Sequence, residues 1–178
     1  MRLLVMGASG CGTSTLGRAL ASALASQHFD ADDFFWLPTD PPFTKIRPVA
    51  ARAALMEAVF VPRADWVLSG SLITWGAAAT ARMTAIVFVT LDPEVRIARL
   101  IARERRRYGA RIAPGGDRHE AFTAFLDWAR GYDDPSSESS RNRARHEDWL
   151  AQHPAPKIRV DAAGPVDVLA NQVLEALP

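Results

Sequence analysis

Cysteine is almost missing from this sequence, which contains a single one, Cys11. One cysteine forms no internal disulfide and supplies no cysteine-based metal site. Long hydrophobic runs are missing as well: no stretch approaches the roughly 18 apolar residues that span a membrane, and the run before the first glycine is too short for a signal peptide. We therefore expect a cytoplasmic protein that does not enter a membrane.

Neither positive nor negative residues are in clear excess. Lysine and arginine total 21 and aspartate and glutamate total 20, so the net charge is +1. This balance argues against a general nucleic-acid or membrane-surface binder, because such proteins present a basic surface. The chain has 178 residues, enough to bury a large core. We expect residues 1–178 to form a single domain.

The sequence does contain a glycine-rich loop, which directly follows an apolar run at residues 3–6. Gly7, Gly12 and Ser14 have the spacing of the phosphate-binding P-loop, G-x-x-x-x-G-K-[ST], but Thr13 stands where that motif has lysine. Backbone N–H groups of such a loop and the positive end of the following helix bind anions. We expect ATP to contact these residues: Gly7, Ala8, Ser9, Gly10, Cys11, Gly12, Thr13, Ser14 and Thr15.

The missing lysine leaves a charge to be replaced, since lysine places a positive charge on the transferring phosphate and Thr13 cannot. Arginines cluster later in the chain, where Arg103 and Arg107 are four apart on a predicted helix and can address one anion together. Arg141 and Arg145 are expected to share a face of a later helix. The alternative is that these arginines only form a solvated helix face, as runs of charge usually do. The candidates for catalysis are Arg103, Arg107, Arg141 and Arg143.

Two carboxylates follow the second predicted strand. Asp30 and Asp32 are two apart on a segment predicted to be extended, so their side chains should point the same way. We expect Asp32 to contact the hydroxyl of a small acceptor, and Asp30 to hold Mg²⁺ together with the Ser14 hydroxyl. The alternative is that these aspartates only belong to a solvated turn, where aspartate is common.

A proline-rich segment after these carboxylates carries cations. Arg47 and Arg52 would suit an anionic acceptor such as a nucleoside monophosphate, although they could equally be surface residues. Gly70, which follows the third predicted strand, is a further candidate for contact with the acceptor.

Strand-like and helix-like stretches alternate along the chain. Short apolar runs predict strands at residues 2–6, 66–68, 86–91 and 157–160, and a strand through Phe29 that ends at residues 30–33. Apolar residues at helical spacing predict helices at residues 13–25, 50–61, 118–132, 141–152 and 166–177, and one that starts at Pro93 with Val95, Ile97, Leu100 and Ile101 on one side. This alternation implies an α/β fold with a parallel sheet covered on both faces.

Three of these stretches resemble the nucleotide-kinase branch of P-loop proteins, which includes adenylate-kinase-like enzymes and the DNA topology modulation proteins. They are the glycine loop, the Phe-Asp-x-Asp stretch from Phe29, and Arg99-Leu100-Ile101-Ala102-Arg103. The resemblance implies a three-layer P-loop NTPase fold with a five-stranded parallel sheet, an acceptor-binding insert at about residues 30–62 and an arginine-bearing helical lid at about residues 103–145.

The same resemblance assigns roles to single residues. Arg99 would lie against the adenine, and Arg103 would reach the phosphates. Relatives often carry an aspartate at the end of the third strand that helps to hold magnesium; here Ser69 stands there, and we expect it to bind a metal-bound water.

Together these features predict an ATP- and Mg²⁺-dependent phosphotransferase that acts on a nucleotide, a nucleoside or a similar small acceptor. Two alternatives remain open. The first is a regulatory protein that closes on ATP without turnover, because Thr13 and Ser69 both depart from the catalytic pattern. The second and weaker one is a nucleic-acid-associated protein.

Overall fold

Five parallel strands form one sheet in the computed structural model, which describes residues 1–139 and 141–178. Ser140, inside the predicted lid, lies outside the described residues. In chain order the strands are β1 (Arg2–Gly7), β2 (His28–Asp30), β3 (Trp66–Ser69), β4 (Ala85–Thr90) and β5 (Lys157–Asp161). Their order across the sheet is β2-β3-β1-β4-β5. The predicted α/β fold with a five-stranded parallel sheet is confirmed.

Helices connect the strands. They are α1 (Thr13–Ala23), α2 (Ala31–Phe35), α3 (Val49–Val59), α4 (Ala77–Thr80), α5 (Pro93–Tyr108), α6 (His119–Arg130), α7 (Arg143–Gln152) and α8 (Val166–Ala176). The short helices α2 and α4 were not predicted, and a 3₁₀ turn occupies Gly109–Ile112, where a loop was expected. Within the described ranges, no helix has both the length and the apolar character needed to cross a membrane.

The two faces of the sheet bury different helices. Leu3 and Val5 of β1 pack in one core cluster with residues of α1 and α8, whereas Leu4 and Met6 pack in a second cluster with residues of α3 and α7. All four of these β1 side chains are fully buried. Successive residues of a strand point to opposite faces, so the continuous apolar run of β1 fills both layers. This central strand delivers the glycine loop to the carboxyl edge of the sheet.

The buried side of α5 differs from the predicted one. Arg96, Leu100 and Glu104, spaced four apart, are the buried residues of this helix, whereas Val95 is 44% exposed. Arg96 can be buried because its guanidinium has acceptors: it donates to the carbonyls of Ser9 and Ala129 at 3.1 and 3.0 Å and forms an ion pair with a carboxylate of the α6–α7 connection.

Two predicted element boundaries were wrong, and as a result two candidate site residues belong to other elements than predicted. The second strand ends at Asp30, whose carboxylate accepts from the Asp32 N–H at 3.1 Å and caps α2, so the two aspartates do not alternate along an extended segment. Helix α7 begins at Arg143 because Asn142 caps it through the Arg145 N–H. Arg141 therefore precedes α7, and the predicted face shared by Arg141 and Arg145 does not exist.

We expect Gly17→Ala to destabilise the protein by about 1–3 kcal/mol, although alanine normally stabilises a helix. A Cβ on Gly17 would collide with Ser69 Oγ and lie 2.9 Å from His28 Nε2. Urea unfolding of the variant and the wild type measures the effect. Gly164→Ala is the control, since a Cβ there would meet nothing within 4 Å. Equal stability of Gly17→Ala and the wild type would contradict the contact.

Candidate active site

The glycine loop joins the end of β1 to the start of α1. Gly12, at φ 89°, is the N-cap of α1 and has no side chain to cover the first N–H groups of the helix. A Cβ added at Gly12 would meet nothing within 4 Å, so no described residue packs against this point of the loop. The loop therefore presents backbone donors and the positive end of α1 to an anion, as a phosphate cradle requires.

Thr13, at the position of the missing lysine, is fixed through its backbone. Its carbonyl accepts from Ser69 Oγ at 3.0 Å, and Ser69 Oγ in turn accepts from His28 Nε2 at 2.9 Å. Ser69 is fully buried, so its hydroxyl ties the end of β3 to the start of α1. This arrangement does not fit the predicted contact of Ser69 with a metal-bound water.

Ser14 and Asp30 lie together beside the loop. Ser14 Oγ donates to Asp30 Oδ2 at 2.6 Å, and the pairing of β2 with β3 brings Asp30 to this position. Hydroxyl and carboxylate oxygens are ligands that Mg²⁺ prefers, so the pair fits this ion. No cluster of three or more His, Cys, Asp or Glu side chains that could hold a metal is found among the described residues. Mg²⁺ often takes only one or two protein ligands, with water and phosphate completing its shell.

Asp32 lies on the first turn of α2, next to this pair. Its side chain reaches solvent, yet the protein around it limits its hydration, and this burial together with the charge of Asp30 raises the pKa of the Asp32 carboxyl. Arg141 and Arg103 lie near enough to lower the same pKa. Asp32 thus lies near a second carboxylate and two arginines, which suits a group that accepts a proton.

The candidate arginines differ in how far they are already paired. Arg103 Nε donates to Glu104 Oε1 at 2.8 Å, and Arg107 lies 3.6 Å from the same oxygen, so the predicted common face of these two residues is present. Arg143 donates to Asp133 Oδ1 through Nε, at 2.9 Å, and through a terminal nitrogen. Asp133 also pairs with the buried Arg96 at 2.7 Å. Arg143 therefore supports the α6–α7 connection.

Arg141 is the candidate with the fewest partners. Its Nε is buried, and it has no hydrogen-bond acceptor among residues 1–139 and 141–178. The guanidinium lies 5.7 Å from the centre of the Trp128 ring. Burial lowers the pKa of Arg141, while the nearby charges of Asp32 and Asp30 raise it. The guanidinium thus lies near the two carboxylates that are predicted to serve metal and acceptor.

A buried network next to Arg141 was missed at the level of sequence. Tyr132 Oη and Ser71 Oγ lie 2.9 and 3.0 Å from the two ring nitrogens of His146, which is fully buried. Burial, helped by the charge of Arg141, lowers the pKa of His146 to about 3, so the ring is neutral. The one available signal was the spacing of His146 and Leu150, which share the buried side of α7.

Two of the predicted acceptor contacts are Arg47, on the segment after α2, and Arg52, on α3. Arg47 donates to the carbonyls of Phe34 and Trp36 at 2.9 and 3.0 Å, which fixes the fold of this segment. Arg52 is 7% exposed; its guanidinium lies 4.0 Å from the Phe35 ring centre, and its Nε donates to the Arg47 carbonyl at 2.6 Å. Arg52 is thus held rigidly, with only its Nε bonded to another residue in the described chain.

Gly70 and Arg99 each donate a hydrogen bond to the backbone of another segment. Gly70, at φ 117°, donates its N–H to the Val5 carbonyl at 3.0 Å, and a Cβ there would meet the Ala31 side chain. Arg99 donates to the Ala162 carbonyl at 3.1 Å, which joins α5 to the chain that follows β5. Their roles toward acceptor and adenine stay predictions.

No protein-family model matches the chain. A relative from Bacillus subtilis (strain 168), named "Uncharacterized protein YqaC", is 36% identical over 173 residues, which are 97% of this chain and 95% of the relative.

Solved structures of similar fold include kinases of small molecules. A gluconokinase from Sinorhizobium meliloti 1021 is 19% identical, with a TM-score of 0.54 over 98% of this chain and 90% of the other. A shikimate kinase from Bacteroides thetaiotaomicron is 17% identical, with a TM-score of 0.59 over 99% and 98%. A shikimate kinase from Acinetobacter baumannii, solved with shikimate, is 15% identical, with a TM-score of 0.53 over 98% and 90%. At these identities the likeness shows the fold alone, which is that of P-loop kinases.

We expect the free energy of unfolding of the wild type to fall between pH 7 and pH 5 by about 2 kcal/mol more than the free energy of unfolding of the His146→Gln variant. The His146 pKa is lowered from 6.5 to about 3, so in this range the unfolded chain binds a proton that the folded chain does not. The contribution is present above the unfolded pKa and is lost as the pH falls. Urea unfolding at both pH values measures it. Equal losses in the two proteins would contradict a buried, neutral His146.

Proposed function

Since the chain belongs to the family of Bacillus subtilis YqaC and has the P-loop kinase fold, we propose that it is an ATP- and Mg²⁺-dependent phosphotransferase acting on a small molecule. One observation carries this proposal. The Ser14 hydroxyl and the Asp30 carboxylate meet at 2.6 Å beside the glycine loop, with Asp32 directly next to them. A phosphate cradle, a site for a hard cation and a free carboxylate are the parts that phosphoryl transfer requires.

In the proposed reaction, the acceptor hydroxyl oxygen forms a bond to the γ-phosphorus of ATP. The bond between this phosphorus and the oxygen that bridges to the β-phosphate breaks, and ADP leaves. Asp32 accepts the proton of the acceptor hydroxyl, a role that its raised pKa favours. The loop N–H groups bind the phosphates, and Arg99 borders the adenine. Ser14 and Asp30 would hold Mg²⁺, which neutralises charge on the phosphates.

The acceptor is a nucleotide, a nucleoside or a similar small molecule, as in the nucleotide-kinase branch. The rigid guanidinium of Arg52 favours an acceptor with an anionic group, because a fixed arginine fork matches carboxylate or phosphate oxygens. The carbonyl of Arg47 accepts a hydrogen bond from Arg52 Nε and so helps to hold Arg52. Gluconate and shikimate, named for the structurally similar kinases, belong among the compounds to be tried. We place this reaction in the cytoplasm, where ATP is made available.

A second candidate function is a nucleotide-binding regulator that closes on ATP without turnover. Thr13 favours it, because the loop itself carries no lysine. Ser69 favours it as well, since its hydroxyl serves the fold where an aspartate would add negative charge near the metal. Nucleic-acid binding gains no support: Arg96, Arg111, Arg143 and Arg159 are paired with carboxylates of the chain.

The experiment that separates these functions follows ADP formation from ATP and Mg²⁺ with a panel of acceptors. The panel contains the nucleoside monophosphates, the nucleosides, gluconate and shikimate. Acceptor-dependent ADP together with a phosphorylated product supports the kinase. Tight ATP binding without turnover across the panel supports the regulator, and absence of ATP binding rejects both.

We expect Asp32→Asn to lower kcat by roughly 10²- to 10⁴-fold, because a proton acceptor of the transfer is lost. ATP affinity should change little, since the loop and the Ser14–Asp30 pair are left intact. Turnover assays and calorimetric titration with ATP measure the two quantities. Asp33→Asn is the matched control: Asp33 is exposed on the same helix turn, and its loss should leave kcat within about 3-fold. Full activity of Asp32→Asn would contradict the assignment.

For an anionic acceptor, we expect Arg52→Gln to raise the KM for that acceptor roughly 10-fold or more. The physical reason is the loss of a charge-assisted contact, while the KM for ATP should stay the same. Steady-state kinetics with each substrate varied in turn provides the measurement. Arg63→Gln serves as control, since Arg63 is an exposed arginine on the chain that follows α3. If Arg52→Gln left the KM for the acceptor unchanged, this would contradict the proposed contact between Arg52 and the anionic group.

A further inference from the structure

The glycine loop contains no lysine, yet one largely buried arginine lies beside it with unused hydrogen-bonding capacity. We propose that Arg141 takes the place of the missing lysine and binds the γ-phosphate of ATP, whose charge it stabilises during transfer. The inference rests on the proposed function, because it presupposes that the loop binds ATP. It selects one of the four candidate arginines and gives it a chemical role.

The chain directly after Arg141 is anchored. The Arg143 N–H donates to the Tyr132 carbonyl at 2.8 Å, which joins the end of α6 to the start of α7. Asn142 Nδ2 donates to the Ser137 carbonyl at 2.8 Å, and Asn142 Oδ1 caps α7. Arg141 is therefore presented from a fixed part of the chain, as a preorganised catalytic group must be.

This anchor places Arg141 at the glycine loop. Tyr132 packs in the same buried cluster as Ala8 and Cys11 of the loop. The electrostatic neighbours of Arg141 include Tyr132 and Cys11 as well as the carboxylates of Asp32 and Asp30. The guanidinium thus lies near both the loop, where the phosphates would bind, and the carboxylates that would serve the metal and the acceptor.

The side chain of Arg141 lacks a full set of hydrogen-bond acceptors among the described residues. A buried charged group without full hydrogen bonding is costly, and the Arg141 Nε has no acceptor among the described residues. A γ-phosphate would offer oxygens to a planar fork of N–H donors. Arg141 remains charged throughout, so it exchanges no proton; the bonds made and broken are those of the proposed transfer.

The other candidates are less suited to this role. Arg143 is held by Asp133 through two nitrogens, and Arg96 is held by the Ser9 carbonyl and Asp133. Arg103 and Arg107 both lie against Glu104 and are each 40% exposed. A charge so exposed to solvent acts weakly on a phosphate unless the segment closes further.

The test measures nucleotide affinity as well as activity. Calorimetry with Mg²⁺ compares ADP with a non-hydrolysable ATP analogue for the wild type, Arg141→Gln and Arg130→Gln. We expect the wild type to bind the analogue roughly 10-fold more tightly than ADP, and Arg141→Gln to lose this preference while its ADP affinity stays within about 3-fold. The kcat of Arg141→Gln should fall by roughly 10²- to 10³-fold. Arg130, an exposed arginine paired with Asp127, is the control and should retain the preference and the kcat.

Thr13→Lys restores the lysine of the motif and provides a reciprocal test. We expect Arg141→Gln to lower both the preference for the analogue over ADP and the kcat much less in the Thr13→Lys variant than in the wild type. Equal costs in the two backgrounds would show that the two positions do not serve the same phosphate, and this would overturn the inference.

Hydrogen exchange on the wild type makes the test independent of whether Arg141→Gln folds. Peptides that carry Arg141 should be protected more by the analogue than by ADP, and equal protection would overturn the inference. Retention of the preference by Arg141→Gln would also overturn it, while the proposed function would stand. If the wild type bound neither nucleotide, the proposed function itself would fail and the inference with it.

Discussion

The buried guanidinium of Arg96 is the interaction on which the candidate site depends. It donates to the Ser9 carbonyl in the glycine loop, to the Ala129 carbonyl at the end of α6 and to the Asp133 carboxylate. Loss of a partner of a buried charge typically costs about 3–5 kcal/mol, so this set of contacts holds the loop, α5 and the α6–α7 connection in one relative position. The shape of the phosphate cradle is thereby linked to the segment that supplies Arg141.

Charge around the loop is divided between two sides. Asp30 ends β2 and Asp32 lies on the first turn of α2. Arg103 of α5 lies near Asp32, and Arg141, which precedes α7, lies near both carboxylates. A phosphoryl group between these sides would meet metal and acceptor on one side and arginine on the other. This is the arrangement expected where a transferring group carries negative charge and its acceptor must lose a proton.

The two departures from the motif are accommodated by the fold. Thr13 and Ser69 stand where lysine and aspartate were expected, and they are hydrogen-bonded to each other, with His28 completing the chain of contacts. Gly17 permits this close approach, since any side chain there would collide with Ser69. The buried polar groups are therefore paired with each other, as in a stable interior. A positive charge for the phosphate has to come from elsewhere in the chain.

The sequence by itself determined the α/β class, the five parallel strands and the glycine loop, because these depend on local apolar runs and on fixed spacing. It also indicated Ser14 and Asp30 as neighbours, since the loop before Ser14 follows one strand and Asp30 ends another strand at the same edge of the sheet. It did not predict that α2 begins directly after Asp30, because a capping carboxylate and an extended one look alike in a short polar stretch.

Tertiary structure alone decided which arginines are buried and which are free. Arg96 lies on the buried side of α5 because acceptors from the loop and from α6 converge on it, and these come from 87 and 33 residues away in the chain. Arg141 reaches the carboxylates because the chain closes between Tyr132 and Arg143. Hydrogen bonds between distant segments leave no periodic pattern in the sequence, so the source of the missing charge could only be found in the folded chain.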